Sequence, residues 1–326
     1  MKPIAYLRAI NADHALDAAR AYPDSAFVAG GTELLNWLKE GIAQTQLLID
    51  INDLELATID ERYDGLYIGA LSRMSALAAS PLVRARYPVL TQALEAGASP
   101  QLRNMATIGG NLLQRTRCPY FRETSFPCAK RSPGAGCSAR DGEHRHHAIF
   151  DTRQPCIAVH PSDLAVALVA LDAEVHISGP AGARVVPAES FFAAAEDPPV
   201  RETVIEAGEL VVGVEVPLTF SAVPSRYLKV RRRASYEFAL VSVAVAVVLE
   251  SDVVETARVV LGGVAHRPWR ARSAEHALIG GRLDPTRIAR AAAAAVVGAE
   301  PLPGTAYKVE LAERAVARVL NELVDG

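Results

Sequence analysis

The sequence predicts an α+β protein with two domains. Three observations lead to this prediction: a length of 326 residues, a β–Gly-Gly–α–β order near the start, and a final third in which strands precede helices. A chain of this length exceeds the usual size of one domain, about 100–150 residues. Segregated strands and helices are typical of α+β domains.

The first fifty residues alternate between helical and strand-like patterns. Gly30 and Gly31 separate a short apolar strand from a helix, and Thr32 lies near the expected N-cap of that helix. A β–α–β order of this kind indicates a small layer of parallel strands. The predicted elements are a helix over 15–21, a strand over 26–28, a helix over 32–39 and a strand over 47–51.

The middle of the chain combines short elements with one long irregular segment. Residues 115–154 show no apolar period and are rich in Cys, Pro, Gly, Arg and His, which predicts a loop. A loop of that length in a compact domain is normally functional or held by an additional interaction. The elements predicted around it are a strand at 66–68, a helix at 81–96, an extended glycine-broken segment at 107–113, a helix at 163–171, and strands at 174–177, 183–186 and 209–216.

Residues 217–224 are predicted to link the two domains. The first domain is expected over 1–218, with subdomains of about 1–55 and 56–218, and the second over 224–326. The second domain is predicted to contain strands at 226–230, 241–249 and 253–261, followed by helices at 272–278, 285–297 and 306–324.

Charge and hydropathy argue against two classes of partner. The formal net charge is −3, so neither nucleic acid nor an anionic membrane is favoured. No apolar run reaches the roughly 20 residues that span a bilayer. The first eleven residues show no long apolar region of a signal peptide, so the cytoplasm is the expected location.

The four cysteines of the chain, Cys118, Cys128, Cys137 and Cys156, all lie in the predicted loop. In a reducing compartment, such clustering indicates metal or redox work. Their spacing, C-x9-C-x8-C-x18-C, permits a [4Fe–4S] cluster, a zinc site or four free thiols. Nearby histidines keep zinc possible: His144, His146, His147 and His160. Several basic residues either offset thiolate charge or form a solvated surface: Arg115, Arg117, Arg122, Lys130 and Arg131.

Two Gly-Gly segments are candidate phosphate sites. Residues 29–32 follow a strand and open a helix, and residues 107–111 form a second such segment in which Thr107 and Asn111 can donate hydrogen bonds. Neither is the G-x-G-x-x-G fingerprint, and each alone is compatible with a plain turn or bulge. Asp163 is either an N-cap or first-turn acid of a helix or a ligand for a hydroxyl group, and Lys229 alone is typical of a solvated strand face.

These segments, in this order, resemble the FAD-binding medium subunit of the xanthine dehydrogenase and carbon monoxide dehydrogenase family of molybdenum hydroxylases. The strand over 209–217 is similar to the one that closes that family's flavin domain. The residues that carry the resemblance are Phe27, Val28, Ala29, Gly30, Gly31, Thr32, Glu33 and Leu34 in the first segment, Thr107, Ile108, Gly109, Gly110 and Asn111 in the second, and then Asp163 and Lys229.

The resemblance implies an FAD-binding domain of two α+β subdomains, followed by a C-terminal α+β domain with an antiparallel sheet and helices. The two Gly-Gly segments would hold the pyrophosphate of FAD, and Asp163 would contact the ribityl chain. Val211 and Lys229 would lie near the isoalloxazine, where a lysine can stabilise reduced, anionic flavin.

The cysteine loop is similar to that of a subset of this family: the flavin subunits of 4-hydroxybenzoyl-CoA reductase and, more closely, of bacterial periplasmic aldehyde oxidoreductases. That likeness implies a [4Fe–4S] cluster on the four cysteines. It also implies a large subunit with a molybdenum cofactor, a small subunit with two [2Fe–2S] clusters, a terminal electron acceptor, and export together with a signal-bearing partner.

The expected activity is electron relay without catalytic side chains of its own. An FAD oxidoreductase acting alone and a zinc-stabilised scaffold are the alternatives to this interpretation.

Overall fold

A small parallel sheet opens the chain. The structure, a computed structural model, describes residues 3–193 and 200–324. Strands β1 (Ala5–Arg8), β2 (Ser25–Val28) and β3 (Leu47–Asp50) pair in the order β1–β3–β2, and helices α1 (Ala12–Ala21) and α2 (Leu34–Glu40) connect them. The parallel layer predicted from the sequence is therefore confirmed.

Helix α2 begins two residues later than predicted. Gly31 has φ of +68°, a left-handed conformation that a regular helix does not contain. Thr32 therefore lies before the helix, and Glu33 is the N-cap residue, although its side chain makes no capping hydrogen bond. This leaves the Glu33 carboxylate free to bind other partners.

A five-stranded antiparallel sheet forms the second layer, in the order β4–β5–β8–β6–β7. Every residue of the helix over 163–170 is buried, and its apolar side chains join the same core as those of this sheet, which explains its apolar sequence. The strands are β4 (Ile59–Glu61), β5 (Gly65–Gly69), β6 (Glu174–Gly179), β7 (Gly182–Pro187) and β8 (Leu210–Pro217). The helices are α3 (Met74–Ala79), α4 (Pro81–Arg86), α5 (Pro88–Ala96), α6 (Pro100–Arg103), α7 (Ile108–Leu112), α8 (Pro119–Arg122), α9 (Asp163–Ala170) and α10 (Ala188–Phe191).

Two predicted elements of this layer are wrong. The single helix expected over 81–96 is divided into α4 and α5, because Pro88 disfavours helical geometry at Tyr87, which has φ of −135°. The segment over 107–113 is not extended. Thr107 Oγ1 accepts a hydrogen bond from Gly110 N at 3.2 Å and caps the short helix α7.

The C-terminal domain is a four-stranded antiparallel sheet in the order β12–β11–β10–β9, covered by three helices. On β10, Val243 and Val245 pack towards these helices, while Ala244 and Ala246 pack into the core of the preceding domain. Burial of both faces explains why this strand is continuously apolar. The elements are β9 (Ser225–Val230), β10 (Val241–Glu250), β11 (Val253–Gly262), β12 (Trp269–Arg270), α11 (Arg272–Leu278), α12 (Pro285–Ala295) and α13 (Tyr307–Val324).

The long loop that carries the cysteines is held against the C-terminal domain. Its regular structure is limited to α8 and a two-residue bridge between Cys128 and Cys137. Near its end, the backbone N–H groups of Ile149 and Phe150 both donate to Val264 O. The Phe150 ring stacks on Trp269 with ring centres 4.3 Å apart. The predicted loop is confirmed, and tertiary contacts order it.

Candidate functional site

A cleft of about 1000 Å³ lies where the N-terminal sheet meets α7, α9, β8 and β9. A cleft of that size can enclose a dinucleotide cofactor. The structure brings to this cleft all the residues that the sequence predicted for cofactor binding: Phe27, Val28, Ala29, Gly30, Gly31, Thr32, Glu33, Leu34, Thr107, Gly110, Asn111, Asp163, Val211 and Lys229.

The first Gly-Gly turn packs directly on the chain that leads into the second Gly-Gly segment. A Cβ atom on Gly30 would lie 1.9 Å from the backbone O of Met105. The guanidinium of Arg73 also donates to this oxygen and, at 2.9 Å, to Asn52 Oδ1. Glycine at position 30 is therefore required by contact between two backbone segments.

The second Gly-Gly segment presents its backbone to the cleft. A Cβ atom on Gly110 would meet only the Thr107 hydroxyl, at 3.0 Å. Asn111 Oδ1 accepts from Ser162 Oγ at 2.5 Å, so the amide is oriented by the start of α9. The segment is thus open towards the cleft, and Ser162 at the start of α9 fixes the side chain of Asn111.

Asp163 and Lys229 form a buried ion pair at the edge of the cleft. Lys229 Nζ lies 2.7 Å from Asp163 Oδ2, and the lysine side chain is 2% exposed. Ser162 caps α9 through a 3.0 Å hydrogen bond from Ala165 N, so Asp163 is an acidic residue of the first turn rather than the N-cap. A solvated position for Lys229, which is the usual interpretation of a lone lysine on a strand, is therefore wrong.

Tyr227 completes this group, a role that its sequence context does not predict. Its hydroxyl donates to Asp163 Oδ1 at 2.5 Å. Burial, followed by the charge of Asp163, raises the pKa of Tyr227 well above its usual range. Tyr227 and Lys229 are two residues apart on β9 and therefore face the same side of the sheet. This spacing is the feature of the sequence that could have indicated a role for Tyr227 beside Lys229.

The connection from β9 to β10 also lines the cleft. Glu237 Oε2 accepts from the backbone N–H groups of Arg232 and Arg233 at 2.6 Å and 3.0 Å, which shapes the turn. Arg117 reaches the cleft from the cysteine loop and lies 4.8 Å from the ring centre of Phe238. These residues carry no recognisable motif, so the sequence did not predict them.

All four cysteines line one small cavity. The space is about 10 Å³, so the binding of any group there requires the thiol side chains to reorient. Among the described residues, no three His, Cys, Asp or Glu side chains are close enough to hold one metal ion. Thr116, Lys130 and His147 line the same cavity.

Burial keeps two of the four thiols in this cavity neutral in the protein alone. It raises the pKa of Cys118 to about 12 and that of Cys156 to about 11, so both thiols are protonated at neutral pH. His147 Nε2 lies 3.2 Å from Cys118 Sγ, and burial lowers the pKa of this histidine to about 4. Binding of a metal to these thiols would displace their protons.

Lys130 is the basic residue of the loop that faces the cysteines. Its side chain is 1% exposed, and Nζ lies 2.9 Å from His266 Nε2 and 3.4 Å from Glu202 Oε1. A solvated position is therefore excluded for Lys130. Arg115 shares Glu202 with Lys130. The other basic residues have different partners: Arg117 and Arg122 pair with Glu33, and Arg131 donates to backbone carbonyls.

Comparison with known proteins identifies the class. Residues 2–219 match the family of the FAD-binding domain in molybdopterin dehydrogenase, and residues 226–323 match the C-terminal domain of the CO dehydrogenase flavoprotein. The chain therefore belongs to the FAD-binding subunits of the molybdenum hydroxylases and is an oxidoreductase subunit. The α+β fold predicted from the sequence is the fold of this family.

Several relatives align over nearly the whole chain. The aldehyde oxidoreductase FAD-binding subunit PaoB of Escherichia coli K12 is 44% identical, covering 99% of this chain and 98% of PaoB. The carbon monoxide dehydrogenase medium chain of Hydrogenophaga pseudoflava is 30% identical, covering 91% and 88%. A solved carbon monoxide dehydrogenase from that organism superposes with a TM-score of 0.77 at 28% identity, covering 98% of each chain. No helix in the described ranges is long and apolar enough to cross a membrane.

Proposed function

We propose that this chain is the electron-transfer subunit of a heterotrimeric molybdenum-containing aldehyde oxidoreductase, and that it carries FAD and one [4Fe–4S] cluster. The observation that carries the proposal is the cavity lined by Cys118, Cys128, Cys137 and Cys156, beside a cleft of dinucleotide size. The identity of 44% to the aldehyde oxidoreductase subunit PaoB supports the substrate class.

FAD, when bound, exchanges one or two electrons and thereby connects one-electron carriers to a terminal acceptor. In the proposal, the cleft over residues 27–34 and 107–111 binds the pyrophosphate. Asp163 contacts the ribityl chain, and Val211 and Lys229 lie by the ring. Lys229 and Asp163 already pair with each other, so the ring would meet a fixed dipole rather than a free cation. In the proposal, the flavin domain spans residues 1–218 and the second domain spans residues 224–326.

The spacing of the cysteines favours an iron–sulfur cluster over zinc. Structural zinc sites usually take two ligands from a C-x2–4-C pair, and C-x9-C-x8-C-x18-C contains no such pair. All four cysteines line one cavity, which is what four ligands of one cluster require. The buried cation of Lys130 would offset part of the charge of a thiolate-bound cluster.

The proposed partners follow from this role. A large subunit with the molybdenum cofactor oxidises the aldehyde, and a small subunit with two [2Fe–2S] clusters supplies electrons to this chain. An alternative of the same chemical class, the flavin subunit of a 4-hydroxybenzoyl-CoA reductase-like enzyme, would differ in the substrate of the large subunit.

The test is an absorption spectrum of the anaerobically purified full chain, with iron, zinc and flavin quantified. About four irons and one flavin per chain are expected. Zinc without flavin would contradict the proposal, and flavin without iron would remove its cluster. Aldehyde-dependent reduction of the flavin, measured in the assembled complex, tests the substrate class.

A further inference from the structure

Glu33 lies in the first Gly-Gly segment and binds the cysteine loop. Its carboxylate oxygens are 2.5 Å from Arg117 Nη1 and 2.9 Å from Arg122 Nη2. Oε1 also accepts from Trp37 Nε1 at 2.9 Å, and the glutamate side chain is 13% exposed. One carboxylate of the flavin cleft is therefore the shared partner of two arginines from the cysteine loop.

The two arginines flank Cys118. Arg117 precedes this cysteine and lines the flavin cleft, whereas Cys118 lines the cysteine cavity. Arg122 ends α8, the helix that begins after Cys118, and its Nε donates to Thr116 O at 3.4 Å. Arg117 thus faces the flavin cleft, and the next residue, Cys118, faces the cysteine cavity. Glu33 binds this segment through its ion pairs with the two arginines.

We propose that Glu33 is a positioning residue that couples the two sites through Arg117 and Arg122, so that FAD binding and occupation of the cysteine cavity strengthen each other. The inference rests on the proposed cluster. Withdrawal of the cluster frees Cys118, loosens the arginines beside it and disturbs the turn that holds Glu33. Such coupling is reciprocal, so loss of FAD also weakens retention of iron.

The burial of these groups makes the coupling strong. The side chains of Arg117 and Arg122 are 26% and 18% exposed, so solvent screens their interaction with Glu33 only in part. A shift of the loop would leave a largely buried carboxylate without its partners, which is costly. The flavin turn and the cysteine loop are therefore expected to move together.

The experiment measures the FAD dissociation constant of the full chain by fluorescence, with and without Cys156→Ser. This substitution removes one of the proposed cluster ligands, which lies outside the segment that carries Arg117 and Arg122. With Glu33 present, we expect Cys156→Ser to raise the dissociation constant about tenfold. In a Glu33→Gln background, the same substitution should change it less than about twofold.

Two further variants control this experiment. Arg122→Gln breaks one of the two links from outside the cleft, so it should reduce the effect of Cys156→Ser and provides a test even if Glu33→Gln does not fold. Glu40→Gln removes the charge of the exposed carboxylate that lies 3.1 Å from Arg122, and leaves the Glu33 ion pairs in place. In this variant, Cys156→Ser should still raise the FAD dissociation constant about tenfold.

Equal effects of Cys156→Ser in the unsubstituted, Glu33→Gln and Arg122→Gln chains would overturn the coupling, as would no effect in the unsubstituted chain. Iron and flavin contents measured beforehand separate this failure from that of the proposed function. An iron-free native chain overturns both proposals, whereas a four-iron chain with uncoupled affinities overturns only the coupling.

Discussion

Gly30 and Gly110 both line the flavin cleft, but a methyl group at the two positions meets different atoms. At Gly30 it would collide with the backbone O of Met105, and at Gly110 it would touch only the Thr107 hydroxyl and project into the cleft. A backbone oxygen cannot move without disturbing the fold, whereas a hydroxyl can shift by a few tenths of an ångström. A substitution at Gly30 should therefore affect folding, whereas a substitution at Gly110 should affect cofactor binding.

We predict that Gly30→Ala lowers the thermal unfolding midpoint of the flavin-free chain, by several degrees for each kcal/mol lost. Gly110→Ala should leave that midpoint nearly unchanged and raise the FAD dissociation constant, because its methyl group occupies cofactor space. Differential scanning fluorimetry and flavin titration measure the two effects. Equal loss of stability in both variants would contradict this explanation.

His160 is predicted to make the fold sensitive to acid. Burial lowers its pKa from 6.5 to about 3, so the unfolded chain binds a proton more readily than the folded chain. The contribution of His160 to stability is therefore complete above about pH 6.5 and is lost as the pH falls towards 3. The expected slope is about 1.4 kcal/mol per pH unit.

The variant His160→Phe should flatten this slope, since phenylalanine does not titrate and can pack on Phe192, whose ring centre lies 4.6 Å from that of His160. Urea unfolding of both proteins at pH 7, 6 and 5 measures the free energies. A slope in the variant as steep as in the native chain would show that other groups cause the acid sensitivity.

At the scale of elements, strand β9 and helix α9 meet through Asp163, which accepts from both Lys229 and Tyr227. Removal of the cation leaves a buried carboxylate without its charge partner, whereas removal of the phenol hydroxyl leaves the ion pair intact. The first change is expected to be the more damaging, because an unpaired buried charge retains its full desolvation cost.

We therefore predict that Lys229→Met lowers the free energy of unfolding by about 3–5 kcal/mol. Tyr227→Phe should lower it by about 1.5–3 kcal/mol, the range for a hydrogen bond to a charged group. Chemical denaturation of the flavin-free full chain compares the two. A larger loss for Tyr227→Phe would indicate that the hydroxyl, rather than the cation, satisfies Asp163.

At the scale of the whole molecule, Arg270 joins the two domains. Its guanidinium is 2.9 Å from Glu275 on α11 and 3.4 Å from both Asp172 and Glu189, which belong to the flavin side. The arginine side chain is 15% exposed. Arg272 also binds Glu189, at 2.6 Å, but is 56% exposed. Arg270 and Arg272 therefore bind the same carboxylate, one from a largely buried position and the other from an exposed one.

Arg270→Met is predicted to lower the free energy of unfolding by about 2–3 kcal/mol, because three carboxylates lose one buried partner. Arg272→Met should cost less than about 1 kcal/mol, since water screens an exposed pair. Urea unfolding followed by circular dichroism measures both. Similar losses in the two variants would show that burial does not make the ion pairs of Arg270 stronger than that of Arg272.

The sequence by itself determined the fold class and the order of most elements. These features follow from local causes: hydrophobic period, glycine and the residues that cap helices. The residues expected to bind the cofactor followed from the resemblance to a known family, because each segment alone is also compatible with a plain turn. The clustering of four cysteines in a segment without apolar period also indicated one shared cavity. Local rules were incomplete at Pro88, which divides the expected helix over 81–96.

Only the tertiary structure decided which charged groups meet. It paired Lys229 with Asp163, joined Glu33 to the arginines beside Cys118, and brought Lys130 to Glu202. These partners are separated by tens of residues, so no periodic pattern relates them. Their pairing depends on how the sheets and the loop pack, and burial then makes each ion pair strong enough to influence the site.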